Sequence, residues 1–185
     1  MRPEALVIRD GWLLGVRHAP SPNCNDRPAG AGIDLLVIHN ISLPPGEFGG
    51  GSVEQLFCNT LDCSSHPWFA QLLGLRVSAH LLIDRNGEPT QFVPFHRRAW
   101  HAGVSRHGER EACNDFSIGI ELEGTDTLPY TDAQYACLVA LTRTLLREYP
   151  GLRAERIVGH SDIAPGRKTD PGEAFDWDRY LRALA

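Results

Sequence analysis

Two histidines in this sequence each follow an apolar segment and precede a loop. His39 ends the run Leu35-Leu36-Val37-Ile38, and His160 opens a loop stiffened by two prolines. Among the charged residues of that loop are Asp162, Lys168 and Asp170. Two imidazoles and one carboxylate, with a fourth position left for water, are the ligand set of a catalytic zinc ion. A turn whose carboxylates accept hydrogen bonds from nearby backbone amides explains the loop equally well.

Two carboxylates that could serve such a site lie between these histidines in the sequence. Apolar residues alternate with others along residues 116–123, so Glu121 and Glu123 share one face of a predicted strand. A carboxylate beside an activated water can take its proton and pass it to a leaving group, as a general base that becomes a general acid. Spacing does not decide which of the two glutamates would act.

The hydrophobic pattern predicts the strands that must position these residues. Residues 35–38 form a short apolar run typical of a buried central strand, which we expect to end at His39. Residues 77–83 and 90–93 predict two antiparallel strands, because Asn86-Gly87 between them favours a tight hairpin turn.

Three helices are predicted around the strands. Ser52 and Thr131 each stand three residues before a glutamine, which is the spacing of a capping box. Thr131 opens the longest helix, and Pro150-Gly151 ends it. Aromatic and leucine residues on one stripe predict a last helix over residues 177–184.

Size and composition fit one globular domain. The chain has 185 residues, of which 42% are hydrophobic, enough for a core that is stable alone. Strands interspersed with helices indicate an α/β domain with a mixed central β-sheet flanked by helices. We expect residues 1–185 to form this single domain, with residues 1–32 as an irregular N-terminal segment that wraps its surface.

Charge and cysteine usage exclude several classes of partner. The net charge is −5, and lysines and arginines are scattered, so no basic stripe is present to bind nucleic acid. No segment reaches the ~20 apolar residues of a membrane span, and the N-terminus lacks the features of a signal peptide. Five cysteines without a C-x-x-C pair indicate free thiols in a reducing compartment. We therefore expect a cytoplasmic protein with no membrane partner; the sequence leaves its oligomeric state open.

Several longer strings resemble those of one known family. They are Leu36-Val37-Ile38-His39-Asn40-Ile41-Ser42-Leu43-Pro44-Pro45-Gly46, Ser78-Ala79-His80, Arg98-Ala99-Trp100-His101-Ala102-Gly103, Ile118-Gly119-Ile120-Glu121-Leu122-Glu123-Gly124 and the segment from Gly159-His160 to Gly172. The strings occur in the same order as in that family, and the likeness covers nearly the whole chain. They look like those of the AmpD family, the cytoplasmic 1,6-anhydro-N-acetylmuramyl-L-alanine amidases of bacterial cell-wall recycling. The resemblance implies the amidase fold, a zinc ion as cofactor and a small-molecule muropeptide as substrate.

The family resemblance also implies roles for particular residues. Its metal ligands fall on His39, His160 and Asp170, where the wider superfamily often has Cys in place of the aspartate. Its catalytic roles fall on Glu121 and Lys168, and all five residue types match. Zinc lowers the pKa of its bound water to about 7, which provides hydroxide at neutral pH. Lys168, which is otherwise a solvated loop charge, would lie beside the oxyanion and contribute roughly 3 kcal/mol.

Four further residues are predicted to contact the substrate. Trp100 offers an aromatic face for a sugar beside His101, although packing in the core would explain Trp100 as well. Asn40 stands next to the first metal ligand, and Arg76 could bind a carboxylate of the peptide with two nitrogens.

Two other functions remain open at this point. A broader N-acetylmuramoyl-L-alanine amidase would act on intact peptidoglycan, and the missing signal peptide argues against it. A muropeptide-binding sensor on the same fold would have lost its metal site, and the complete ligand set argues against that.

Overall fold

The computed structural model describes residues 6–185. Its strands are β1 (Ile8–Arg9), β2 (Trp12–Leu13), β3 (Arg17–His18), β4 (Cys24–Asp26), β5 (Leu35–Ile41), β6 (Leu81–Ile83), β7 (Pro89–Gln91), β8 (Arg97–Ala99), β9 (Arg106–His107), β10 (Arg110–Glu111), β11 (Ser117–Glu123) and β12 (Ile157–Gly159). Its α-helices are α1 (Ser52–Phe57), α2 (Asp132–Glu148), α3 (His160–Ile163) and α4 (Trp177–Leu184). Short 3₁₀ segments lie at Pro67–Leu72, Cys113–Asp115 and Ala154–Arg156. Across residues 6–185, no helix is both long and apolar enough to span a membrane.

A six-stranded sheet is the frame of the molecule, in the order β12-β5-β11-β6-β7-β3. Strands β12, β5, β11 and β6 run parallel to one another, whereas β7 is antiparallel to β6. The hairpin between β6 and β7 turns at Asn86-Gly87, as the sequence predicts. A mixed sheet covered by helices confirms the expected α/β class.

The register of the parallel strands places polar side chains at one edge of the sheet. Strand β11 pairs Glu121 with His39 of β5, so the two side chains point to the same face. Strand β12 pairs Gly159 with Ile38, and His160 follows directly as the first residue of α3. The prediction that β5 ends at His39 is wrong, because Leu122 and Glu123 of β11 extend the pairing to Ile41.

The opposite face of the sheet packs against α2 and α4. The capping box predicted at Thr131 is present and starts α2. Tyr180 of α4 is fully buried, and its hydroxyl lies 2.6 Å from Thr142 Oγ1 of α2. Strand residues and helix residues form one apolar core, including Leu36, Ile38, Ile118, Ile120, Leu122, Leu138, Leu141 and Leu145. This packed face holds β5 and β11 rigidly and leaves their other face for chemistry.

Two local expectations differ from the structure. Helix α1 begins at Ser52, but Gly51 is its N-cap and no side chain caps it, so the capping box predicted at Ser52 is wrong. Gly51 has φ of 73°, a conformation that glycine adopts without strain, and it moves the helix start past the serine hydroxyl. Of the N-terminal segment 1–32, residues 1–5 lie outside the described part of the chain, and the remainder contains the short strands β1 to β4 between coil.

Candidate active site

Three side chains converge where β5 and β12 meet. His39 lies in β5, His160 opens α3, and Asp170 lies in the loop that follows. His39 Nδ1 is 3.0 Å from His160 Nδ1 and 3.0 Å from Asp170 Oδ2. His160 Nδ1 is also 3.0 Å from the same carboxylate oxygen. The fold thus brings the three predicted ligand residues together, with their donor atoms at the corners of an equilateral triangle.

The lone pairs of His160 Nδ1 and of an Asp170 oxygen both point into this triangle. His160 Nε2 lies 3.1 Å from the carbonyl oxygen of Ala102, so Nε2 carries the ring proton and Nδ1 carries a lone pair. That lone pair faces an oxygen of Asp170 at 3.0 Å, and two acceptors at this distance repel each other unless a cation lies between them. A tetrahedral zinc ion with bonds of about 2.0 Å separates its ligands by about 3.3 Å, close to the observed edges.

The protonation states of these residues also suit a metal ion. Burial lowers the pKa of His39 to about 4, so its ring is neutral at pH 7. Burial opposes ionisation of Asp170, but the adjacent imidazoles of His160 and His39 hold its pKa well below the usual range. Neutral imidazole and ionised carboxylate are the forms that bind zinc. The residues therefore fit a zinc ion on geometry, donor type and charge.

Glu121 faces the triangle from β11. Its side chain is buried, and Oε2 has no hydrogen-bond partner among residues 6–185. Burial and the charge of Asp170 raise the pKa of Glu121 well above its ordinary value, and Lys168 opposes this shift. A buried carboxylate oxygen without a partner is costly and is found at functional sites. Glu121 is thus placed to exchange a proton with a water in the site.

Glu123 has the same orientation but different contacts. Its Oε1 accepts a hydrogen bond from the backbone amide of Gly49 at 2.6 Å, and its Oε2 accepts one from the amide of Arg85 at 3.2 Å. Both carboxylate oxygens therefore hold backbone, one in the loop before α1 and one in the β6–β7 turn. These contacts favour Glu121 over Glu123 as the reactive carboxylate.

A cleft of about 680 Å³ opens in front of these groups. One part of its wall is apolar and aromatic, and Trp68 and Trp100 contribute to it. Another part is polar and includes the exposed Lys168. The cleft also reaches Glu121, His160 and Asp170, so a bound molecule would lie directly against the candidate metal site.

Two of the predicted substrate contacts line this cleft. Trp100 is partly exposed there, and its indole Nε1 donates to Asn25 Oδ1 at 2.8 Å, which leaves the ring face available. Asn40 also lines the cleft, but its amide nitrogen donates to Asp126 Oδ1 at 2.8 Å and to the carbonyl of Pro171 at 3.1 Å. Asn40 therefore supports the loop that carries Asp170.

The other two predicted contacts, Arg76 and His101, lie at the border of the cleft. Arg76 is exposed and lines an adjoining depression of about 180 Å³, which shares Leu56, Leu72 and Leu75 with the main cleft. His101 borders the cleft, but its two ring nitrogens face His39 and Ser117 at 2.9 and 3.1 Å. The contact predicted for Arg76 stays a prediction, whereas both ring nitrogens of His101 are engaged by other residues.

Sequence reasoning missed the residues that hold the ligand loop. Tyr130 donates its hydroxyl to the carbonyl of Pro171 at 2.7 Å, the same oxygen that Asn40 contacts. Gly172 has φ of 81°, and a Cβ there would lie 2.1 Å from Cα of Asp126, so no side chain fits. The glycine two residues after Asp170 was the available sequence signal for this close packing.

Most of the chain matches one known protein family. Residues 28–173 match the family described as N-acetylmuramoyl-L-alanine amidase. The chain belongs to this amidase family. The 1,6-anhydro-N-acetylmuramyl-L-alanine amidase AmpD of Enterobacter cloacae is 60% identical over 179 residues, or 97% of this chain and 95% of that protein. A crystal structure of a selenomethionine AmpD derivative matches with a TM-score of 0.94 at 56% identity, covering 97% of this chain and 100% of that one.

A more distant amidase was solved with a muropeptide. AmiD of Escherichia coli, in complex with the substrate anhydro-N-acetylmuramic acid-L-Ala-D-γ-Glu-L-Lys, matches with a TM-score of 0.60 at 30% identity. The match covers 97% of this chain and 65% of AmiD. The resemblance predicted from the sequence is therefore confirmed. The amidase family is zinc-dependent in general, and His39, His160 and Asp170 form the group that could hold the ion.

Buried histidine makes the metal-free amidase sensitive to acid. Burial and the nearby Arg27 charge lower the pKa of His80 from 6.5 to about 3. Below pH 6.5, His80 therefore binds a proton in the unfolded chain but stays neutral in the folded chain. The free energy of unfolding that is present above pH 6.5 is thus lost as the pH falls. We expect His80 alone to remove about 2 kcal/mol of unfolding free energy between about pH 7 and about pH 5.

Urea unfolding of the zinc-free protein at those two pH values measures this loss. His80→Asn serves as the comparison, because an asparagine oxygen can still accept the Gly119 amide that His80 Nδ1 accepts at 3.0 Å. Glu121, whose raised pKa acts in the opposite direction, is common to both proteins. A loss of equal size in His80→Asn would contradict the prediction.

Proposed function

We propose that this chain hydrolyses the amide bond between 1,6-anhydro-N-acetylmuramic acid and the L-alanine of muropeptides in cell-wall recycling. The convergence of His39, His160 and Asp170 beside Glu121, whose Oε2 has no partner among residues 6–185, carries the proposal. The names of the AmpD relatives support the choice of substrate, and so does the muropeptide bound by AmiD.

In this proposal, His39, His160 and Asp170 bind the metal ion. The ligand atoms would be Nδ1 of His39 and of His160 and Oδ2 of Asp170. The carbonyl oxygen of Ala102 orients the His160 ring through its contact with Nε2. A zinc ion held there supplies Lewis-acid activation of water and of the scissile carbonyl.

Glu121 would transfer the proton, and Lys168 would stabilise the negative charge that develops on the carbonyl oxygen. Glu121 accepts the proton of the attacking water and returns it to the amine nitrogen of L-alanine, which converts the amine into a good leaving group. Lys168, in the cleft wall, places a positive charge near the oxyanion of the tetrahedral intermediate, worth roughly 3 kcal/mol. Trp100 would pack its ring face against the sugar.

We further propose that the reaction takes place in the cytoplasm on a small, free muropeptide. All five cysteines are free, which suits a reducing compartment. The cleft volume of about 680 Å³ is of the size that takes one small molecule.

The experiment is a kinetic comparison of anhydro and non-anhydro N-acetylmuramoyl peptides, run beside a zinc determination. We expect one zinc per chain and a kcat/KM at least about tenfold higher for the anhydro substrate, because a fitted pocket discriminates by such factors. Equal rates would indicate the broader amidase acting on peptidoglycan. Muropeptide binding without turnover or zinc would indicate a sensor, and either result would overturn the proposal.

A further inference from the structure

His101 forms a bridge between the metal triad and the sheet behind it. Its Nδ1 lies 2.9 Å from His39 Nε2, and its Nε2 lies 3.1 Å from Ser117 Oγ. The rings of His39 and His101 meet edge to face, at 84° and 5.0 Å between centroids. Each nitrogen of His101 therefore has one partner, on one side a candidate metal ligand and on the other a hydroxyl.

The fold holds this ring in a fitted place. Ser117, Gly119 and Glu121 share one face of β11, and a Cβ at Gly119 would lie 2.5 Å from the His101 ring. Because Gly119 has no side chain, the His101 imidazole can pack directly against the backbone of β11. The backbone amide of His101 donates to Asn114 Oδ1 at 3.1 Å, which fixes the chain on the other side of the ring.

The order of donors along this bridge follows from metal binding. If His39 binds a metal through Nδ1, its one proton resides on Nε2 and needs an acceptor. His101 Nδ1 at 2.9 Å is that acceptor, so the proton of His101 resides on Nε2 and is donated to Ser117 Oγ. A hydroxyl oxygen has lone pairs for this bond, so each ring nitrogen of the bridge has a partner.

We propose that His101 is a positioning residue that holds His39 in the tautomer that leaves Nδ1 free for the metal. This role replaces the contact with substrate that the sequence predicted for His101. The inference rests on the metal site of the proposed function and adds a residue to it. Partners of this kind orient ligating histidines, and their loss commonly weakens metal binding by about 10- to 100-fold.

Two substitutions separate the acceptor from the ring. His101→Asn places an amide oxygen near the position of Nδ1, whereas His101→Gln reaches the position of Nε2 and leaves His39 without its acceptor. We expect His101→Gln to weaken zinc binding by about 10- to 100-fold in a chelator competition, and His101→Asn to recover most of that loss. His96→Asn, an exposed histidine, is the control and should bind zinc like the unchanged protein.

The tautomer is measured directly in the unchanged protein. Long-range proton–nitrogen spectra of histidine-labelled, zinc-loaded protein should show His101 with Nε2 protonated and Nδ1 unprotonated. A proton on His101 Nδ1, or equal zinc affinity in both His101 variants, overturns the inference even if one variant folds poorly. An unchanged protein that binds no zinc overturns the proposed function instead, so the two failures are distinct.

Discussion

Replacing Glu121 with glutamine is expected to lower kcat/KM for an anhydromuropeptide by about 10²- to 10⁴-fold while one zinc per chain stays bound. Glutamine keeps the size of the side chain but cannot accept and return a proton. Glu121 is not part of the triad of His39, His160 and Asp170, so the metal ligands remain in place. Turnover of the anhydro substrate and metal content of the same preparation measure the two effects separately.

Glu123→Gln is the matched control for this experiment. It makes the same chemical change two residues along the same strand and on the same face. Its carboxylate contacts the amides of Gly49 and Arg85, so the substitution disturbs a loop and a turn rather than the proton transfer. We expect a far smaller loss of kcat/KM in Glu123→Gln. The reverse order, an active Glu121→Gln and an inactive Glu123→Gln, would assign the base to Glu123.

The local elements of the fold could be predicted because short-range rules determine them. The turn at Asn86-Gly87 and the capping box at Thr131 depend on a few neighbouring residues, and both are present. Ser52 has the same box spacing but lies one residue inside α1, because Gly51 adopts a left-handed conformation and takes the N-cap position. Sequence spacing gives the place of such a helix and not the residue that caps it.

The centre of the site depends on strand order, which no local pattern contains. His39 and Glu121 lie opposite each other only because β5 and β11 are parallel neighbours in one register. The alternation in β11 indicated one buried face, but all seven residues of the strand are buried, since the His101 ring and two loops cover most of the other face. Spacing alone left the choice between Glu121 and Glu123 open, and the contact that separates them comes from Gly49 in a distant loop.

The substrate contacts were the hardest to predict because they depend on side-chain direction. Leu75 and Val77 line the main cleft, whereas Arg76 between them lines a depression that adjoins it. His101 was assigned to the substrate from its place beside Trp100, but a ring packed over Gly119 has both nitrogens engaged inside the protein. Composition and motif give the residue types at a site, and packing decides which of them face the ligand.

Replacing Asp170 with asparagine is expected to weaken zinc binding more than about 100-fold and to abolish turnover, because loss of an outer partner alone already costs 10- to 100-fold. Asparagine keeps the shape and the backbone contact from the Ser161 amide to the Asp170 carbonyl at 2.9 Å. It removes the negative charge that lies 3.0 Å from Nδ1 of both histidines. Two neutral imidazoles and an amide do not neutralise a divalent cation.

Asp162→Asn tests whether the other aspartate of this loop is the metal ligand. Asp162 Oδ2 accepts a hydrogen bond from the Gly159 amide at 2.7 Å, a bond that an asparagine oxygen can also accept. We therefore expect Asp162→Asn to bind zinc and turn over substrate like the unchanged protein. Titration of both metal-free variants with zinc, followed by the amidase assay, gives the comparison. Full zinc binding in Asp170→Asn together with loss in Asp162→Asn would show that the loop presents its other aspartate to the metal, and the triangle of donor atoms would then need Asp162 as its third corner.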